Sequence, residues 1–391
     1  VIPRAALVAS LVVASSGCIE DRCTIDDSVR LLFVYPDDAS RTDTTNPHVF
    51  YSIQDAVDAA PAPEGDGTET TVCVADGVYR EQLTIPPGVR LLGRGADRVR
   101  LRPPGGRDDE TLVTVATDAL TSVTIQDVDL GGTTAACVEA SGGGALRILT
   151  SRILGCGIGV RAMGGGDAGT LEIAATPLAR NGTGLLITSM ADVLVRDTDL
   201  TGNDFVALAD NRSGDGAVRF ERVRLADNGA AITVHGGTAR LTAVDSAADH
   251  PLLSGSGVEA TLRSSGLSTV GPIVSLESGD LLATHVTVLG SGTLAEVGSG
   301  TATFMNSILE PDVGDGVTVR SSLVQDDTLG DGNVAWVDPE LTGWTPAAGS
   351  AVRCAGMSVA DDAVDLRGNP RPFREGKLPD LGAVELQEGC P

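Results

Sequence analysis

Along most of the chain, apolar and polar residues alternate at period two in short runs, and the runs recur. The phrase "ACVEA" at Ala136 returns as "IGVRA" at Ile158, "GLLIT" at Gly184, "FVALA" at Phe205, "AAITV" at Ala230, "PLLSG" at Pro251, "PIVSL" at Pro272 and "TLAEV" at Thr293. These starts fall roughly 21 to 26 residues apart, within the range of solenoid repeats. After a Gly-rich turn comes a second alternating run, for example "ALRILTSRIL", "DVLVRDTDL" or "AVRFERVRL". Alternation of this kind sends one set of side chains inward and the other to solvent, as a half-buried strand requires. No unit contains a convincing amphipathic helix, which argues against leucine-rich horseshoes and helical solenoids.

A unit of about 22 residues, at roughly 3.3 Å per residue, makes one turn of three short strands with their corners. Turns stacked at about 4.8 Å pair every strand with its equivalents above and below, giving three parallel sheets around an apolar column. The expected fold class is therefore all-β, and it resembles the right-handed parallel β-helix family. About ten to twelve coils between Thr70 and Val324 predict a rod on the order of 50 Å long. Counting back from each run finds Cys156, Asn181, Asn203, Asn228 and Asp249 at matching places, where the backbone must bend sharply. Asn and Asp tolerate left-handed backbone angles and hydrogen-bond their own turn, so stacked copies predict a structural ladder along one edge.

Both ends of such a stack need covering. "SIQDAVDAAP" (Ser52 to Pro61) predicts a short capping helix, with Ser52 as N-cap, Asp55 in the first turn, Ile53, Ala56, Val57 and Ala60 on one face, and Pro61 ending it. From Leu329 onward the repeat is lost, and this segment is expected to fold against the last coil. At the start, "VIPRAALVASLVVASSGC" has one cation at Arg4, an apolar run from Ala5 to Ala14 and small residues leading to Cys18. The run is too short to span a bilayer and reads as an export signal. The expected organisation is a signal over 1–17, a tether and lead-in over 18–48, the β-helix over 49–328 and a C-terminal capping segment over 329–391.

Composition sharpens this picture. Forty-nine glycines with only six Phe, three Tyr and two Trp in 391 residues fit many corners and small or branched aliphatic strands. A net charge of -25 repels polyanions, so nucleic acid is not an expected partner. Setting Cys18 aside leaves six cysteines, an even number that suits an oxidising compartment. Fifteen pairings are open to six cysteines; proximity suggests Cys23 with Cys73, Cys137 with Cys156, and Cys354 with Cys390. No CxxC phrase or Cys/His cluster suggests a structural zinc site. The pairs Asp127/Asp129 and Asp197/Asp199, two apart on a strand, are candidates for Ca²⁺ binding or acid–base work. No other cofactor is expected, and a monomer is.

Three resemblances add to this reading. "SSGC" (Ser15 to Cys18) resembles the lipobox of bacterial lipoproteins; it implies lipidation of Cys18, a lipid bilayer as partner through that anchor and, with Ile19 next, sorting to the outer membrane or cell surface. The stretch Ser52 to Leu101 resembles the opening of pectin methylesterases and related β-helix proteins, with a helical cap, a Gly-x-Tyr-x-Glu phrase at Gly77, Tyr79 and Glu81, and the ending "VRLLGRG". The C-terminal stretch resembles the closing segment of many exported bacterial β-helix proteins, with Asp365, Gly368, Pro370 and Arg371 followed by Asp380, Leu381, Gly382, Ala383 and Glu385. In that segment Arg371 is expected to pair with Asp380 or Glu385 and pin the tail over the final coil.

No complete catalytic phrase is present. Esterase chemistry needs two aspartates, oxyanion glutamines and an arginine. "IQDVDL" (Ile125 to Leu130) and "NDFVALAD" (Asn203 to Asp210) are only fragments, too far apart for neighbouring coils. Lyase and polygalacturonase phrases are also missing. The sequence thus favours an anchored scaffold or binding module directed at glycans or envelope components. The alternative is a polysaccharide-active lyase, hydrolase or esterase whose acidic residues meet in a groove built from neighbouring coils.

Overall fold

A computed structural model describes residues 30–36, 47–62, 69–117, 121–164, 169–212, 216–230, 232–325, 332–357, 364–371 and 378–386. Thirty-two strands hydrogen-bond into one continuous arrangement, and their pairings among the described residues are parallel, each strand bonding to its equivalents in neighbouring coils. The chain is a parallel β-solenoid with three faces, here taken in chain order within a coil.

Registers show how the core is built. On the first face Val138, Val160, Leu185, Ala207, Ile232, Leu253, Val274 and Ala295 stack one above another. On the second, Ile125, Ile148, Ile173, Val195, Phe220, Leu241, Leu262, Ala283 and Phe304 do the same. The third piles Leu101, Leu130, Ile153, Leu178, Leu200 and Leu225. All of these residues are buried and join one hydrophobic cluster. The inward alternation is therefore a continuous aliphatic column, and burial at about 25 cal/mol per Å² is its main support.

The backbone bends between successive faces of each coil. Between the second and third faces the backbone takes positive φ at Asp127, Thr150, Ala175, Asp197, Arg222, Ala243, Ser264, His285 and Asn306. A left-handed angle costs a non-Gly residue about 1–2 kcal/mol. A buried hydroxyl one residue later offsets that cost: Ser151 Oγ accepts from Val128 N (3.2 Å), Thr176 Oγ1 from Ser151 N (3.1 Å) and Thr198 Oγ1 from Thr176 N (3.3 Å). Ser265, Ser307 and Ser322 repeat the arrangement further along.

The stack begins with Arg30–Val34, which pairs in register with Thr70–Val74. The first coil thus starts inside the stretch 18–48 that the sequence reading leaves as a lead-in, because the helical cap is inserted between these two strands. The helix spans Ile53–Asp58, with Ser52 as N-cap and Ile53, Ala56 and Val57 buried against the end of the column.

At the other end the C-terminal segment runs back along the third face of several coils, where the final coil alone was expected. Trp344 Nε1 donates to Asp245 Oδ1 (3.1 Å), and the indole lies where a side chain on Gly266 would stand. Ser264 Oγ donates to Val364 O (2.7 Å), Ala383 N to Thr287 Oγ1 (2.9 Å), and Met357 N to Asn306 Oδ1 (2.7 Å). The physical reason is the outward row on that face: Gly266, Thr287, Ile308 and Leu323 are small or apolar and need cover. Ile308 and Leu323 form a second small core with Val352 and Leu381.

Candidate functional site

Most of the residues singled out from the sequence are placed in structural positions. Asn181 Oδ1 accepts from Cys156 N, Asn203 Oδ1 from Asn181 N and Asn228 Oδ1 from Asn203 N, each at 3.0 Å. Asp249 does not continue this row. It is exposed, and in its place His250 Nε2 lies 2.9 Å from Asn228 O. The next coil is entered without the left-handed residue that precedes each Asn, so the aspartate side chain is not directed at the stack.

Cys137 and Cys156 form a disulfide between neighbouring coils. Cys73 and Cys354 are each in a disulfide as well, while Cys18, Cys23 and Cys390 lie outside the described residues. Each aspartate pair straddles a bend of the chain. Asp127 and Asp197 occupy the positive-φ bend, so the chain turns a corner between the two members of each pair. Arg222 engages Asp197 (2.6 Å) and Arg102 engages Asp129 (2.6 Å). Two arginines and burial pull the Asp197 carboxyl in opposite directions, the hydrogen bond from Arg222 dominating, and the net shift is downward. Among the described residues no group of three or more His, Cys, Asp or Glu converges as a cation site.

In the C-terminal segment Arg371 meets Glu385 Oε2 (3.1 Å), both nearly fully buried, and donates to the Asp380 carbonyl (3.3 Å). The Asp380 carboxylate instead accepts from Cys354 N (2.7 Å) and Leu386 N (2.8 Å). Asp365 accepts from Arg367 N, Asn369 N and Glu385 N. These bonds tie the cluster together internally. Burial and the nearby Asp380 charge raise the Glu385 carboxyl to about 7, against the opposing pull of Arg371.

The first face is different, because along the middle and C-terminal coils no segment among the described residues is bonded across it. Its outward rows are set by register. One runs Glu139, Arg161, Leu186, Leu208, Thr233, Ser254, Ser275, Glu296; a second runs Ser141, Met163, Thr188, Asp210, His235, Ser256. Glu139 and Arg161 pair at 2.8 Å. Then follow an apolar strip of Leu186 and Leu208 beside exposed Phe205, and a hydroxyl track in which Thr233 Oγ1 and Ser254 Oγ lie 2.9 Å apart and His235 Nδ1 lies 2.9 Å from Ser256 Oγ.

Ser256 sits at an irregularity in the pairing, next to Gly257 in a left-handed angle (φ 65°) that disfavours any other residue. The track ends in a cavity of about 460 Å³ lined by Ser275, Glu277, Glu296 and Asp315. The acids come from three successive coils. Sequence reading missed this cavity, because Glu277, Glu296 and Asp315 share no phrase; only the coil register brings them together.

The fold thus defines a parallel β-solenoid with one open, hydroxyl-lined and acidic face. No protein-family model matches the sequence and no curated protein is similar to it. Similar solved structures include ORF18 of Geobacillus virus E2 (13% identity, 65% of this chain, TM-score 0.47); this chain spans 56% of that one. The catalytic domain of a GH87 α-1,3-glucanase in complex with tetrasaccharides is similar over 82% of this chain and 68% of its own (11% identity, TM-score 0.46). The mannuronan C-5 epimerase A-module of Azotobacter vinelandii is similar over 71% and 95% (13% identity, TM-score 0.45). At such identity the architecture rests on the strand pairing itself. No helix among the described residues is long and apolar enough to cross a membrane.

Proposed function

We propose that this chain is an exported, polysaccharide-active protein that lays an extended glycan along its first face. The observation that carries this reading is the cavity in which three successive coils each contribute one carboxylate, Glu277, Glu296 and Asp315, at the end of a hydroxyl track. Sugar rings present C–H faces and hydroxyl edges; the strip of Leu186, Leu208 and Phe205 suits the first, and Thr233, Ser254, His235 and Ser256 suit the second. Paired carboxylates flanking a glycosidic bond supply the general acid and the base or nucleophile of hydrolysis. Export through the Cys18 segment, with anchoring there, is part of the proposal, and the Cys137–Cys156 disulfide supports an oxidising compartment.

The second reading is binding without turnover. It is favoured by the exposure of Glu277, Glu296 and Asp315, which leaves no buried environment to set one acid apart from another. A panel of neutral and acidic polysaccharides, assayed for reducing ends and for retardation in affinity gels, separates the two. Catalysis predicts turnover that falls at least about 100-fold in Glu277→Gln or Glu296→Gln with retardation kept. Retardation without turnover establishes the binding module, and neither signal removes both readings.

A further inference from the structure

On and beside the second face several arginines bond acids, and where Arg219 stands opposite Arg240, Arg219 is held by Asp192. Arg147 and Arg196 share Glu172 (3.0 and 2.9 Å), and Arg222 bonds Asp197 (2.6 Å). On the third face of the early coils arginines again stand opposed, and here they line a concavity. Arg80 stands directly opposite Arg102 on the adjacent strand, and Arg100 opposite both exposed Val78 and Asp129. Arg152 is the next partner beyond Asp129. Asp129 is buried, and its carboxylate is taken by Arg102 (2.6 Å), whose Nη1 also donates to Asp129 O (3.0 Å). Arg80 and Arg100 are exposed and have no ion-pair partner among the described residues.

Like charges directly opposite one another on paired strands destabilise the sheet. A chain with a net charge of -25 has acids in excess, yet none is placed between Arg80 and Arg102. These guanidiniums open onto a concavity of about 500 Å³, walled by Pro103, Pro104 and Gly105 and with Asp108 on its rim. That volume falls in the range of small-molecule sites. Its position on the third face makes it independent of the glycan track on the first.

We propose that this trough binds a phosphate monoester, with Arg80 and Arg100 as the ligating side chains and Arg102 held in place by Asp129. The charge balance selects the ligand class. Two uncompensated guanidiniums are neutralised by one phosphoryl dianion, which carries about -1.5 to -2 charges at pH 7 and offers three acceptor oxygens to their forked donors. A long polyanion is disfavoured, because beyond the trough it meets the acidic body of the molecule. A phosphorylated sugar in solution and a phosphomonoester lipid headgroup share this chemistry.

The full chain is titrated with inorganic phosphate by calorimetry and, separately, sedimented with phosphatidylcholine vesicles with and without phosphatidic acid. Saturable binding of phosphate alone identifies a soluble ligand, and binding of phosphatidic acid vesicles alone identifies a headgroup; either supports the site. Arg80→Gln and Arg100→Gln each weaken that binding at least about tenfold, while Arg147→Gln leaves it unchanged. Without ligand, Arg80→Gln raises Tm, because the opposed charges are relieved. Wild-type protein that binds neither probe, or an Arg80→Gln variant that binds as well as wild type or melts lower without ligand, overturns the proposal.

Discussion

At the scale of single residues, the solenoid is held by buried polar side chains that bond from one coil to the next. Asn203 is nearly inaccessible; its Oδ1 accepts from the backbone and side-chain nitrogens of Asn181 (both 3.0 Å), and its Nδ2 donates to Leu178 O (3.0 Å). Removing one partner from a buried network leaves the others unpaired, at roughly 1–3 kcal/mol for each group. Asn203→Ala is therefore expected to lower unfolding stability by about 3 kcal/mol, read as a shift in the urea midpoint at constant slope. The Asn row is legible in sequence because each copy precedes an apolar run at fixed distance. The hydroxyl row is legible only in hindsight: Ser151, Thr176, Thr198, Ser265 and Ser307 each stand two residues before an inward aliphatic, but Val occupies the same place at Val128, Val223, Val244 and Val286. Asp249 shows the converse, since matching spacing does not guarantee matching backbone angles.

At the scale of elements, the N-terminal cap shows what a sequence phrase can mean physically. Glu81 accepts from Ser52 Oγ (2.8 Å), Ile53 N (3.0 Å) and Gln54 N (3.0 Å), filling the open donors of a one-turn-and-a-half helix from 28 residues away. Tyr79, buried, donates its hydroxyl to Ala75 O (2.9 Å), and a side chain on Gly77 would press on Pro36. The Gly77, Tyr79 and Glu81 phrase thus docks the cap onto the first coils. Glu81→Ala is expected to release the helix at a cost of about 2 kcal/mol. Faster amide exchange at Ile53 to Val57, with the middle coils unchanged, is the measurable sign. The helix itself was readable from its N-cap and apolar face. Its end at Asp58, short of Pro61, was not, because tertiary packing and not propensity decides a helix this short.

At the scale of the whole molecule, the period of the apolar pattern disclosed the stack, while the two concave sites depended on register between coils that no local phrase records. The docked C-terminal segment adds a pH dependence. Glu385 is raised to about 7 in the fold from an ordinary 4.5, so the folded state holds its proton more tightly than the unfolded chain. Its contribution is fully present below about 4.5, fades as pH rises through 7, and is worth roughly 3 kcal/mol between those limits. Amide protection at Leu381 and Gly382 is accordingly expected to strengthen as pH falls from about 8 to about 5. Glu385→Gln should flatten that trend; an unchanged slope in the variant would assign it to other groups.

The way this segment lies along the flank also limits how the protein can vary in length. Trp344, Val364, Ala383 and Met357 grip Asp245, Ser264, Thr287 and Asn306, which belong to four successive coils. Inserting or deleting a whole coil between Asp245 and Asn306 would shift at least one of these grips against the others by about 4.8 Å, beyond the reach of a hydrogen bond. Before Asp245 a coil more or less disturbs none of them. The four coils from Asp245 to Asn306 and their strap thereby form a unit of fixed size, while coils before it are free to vary in number.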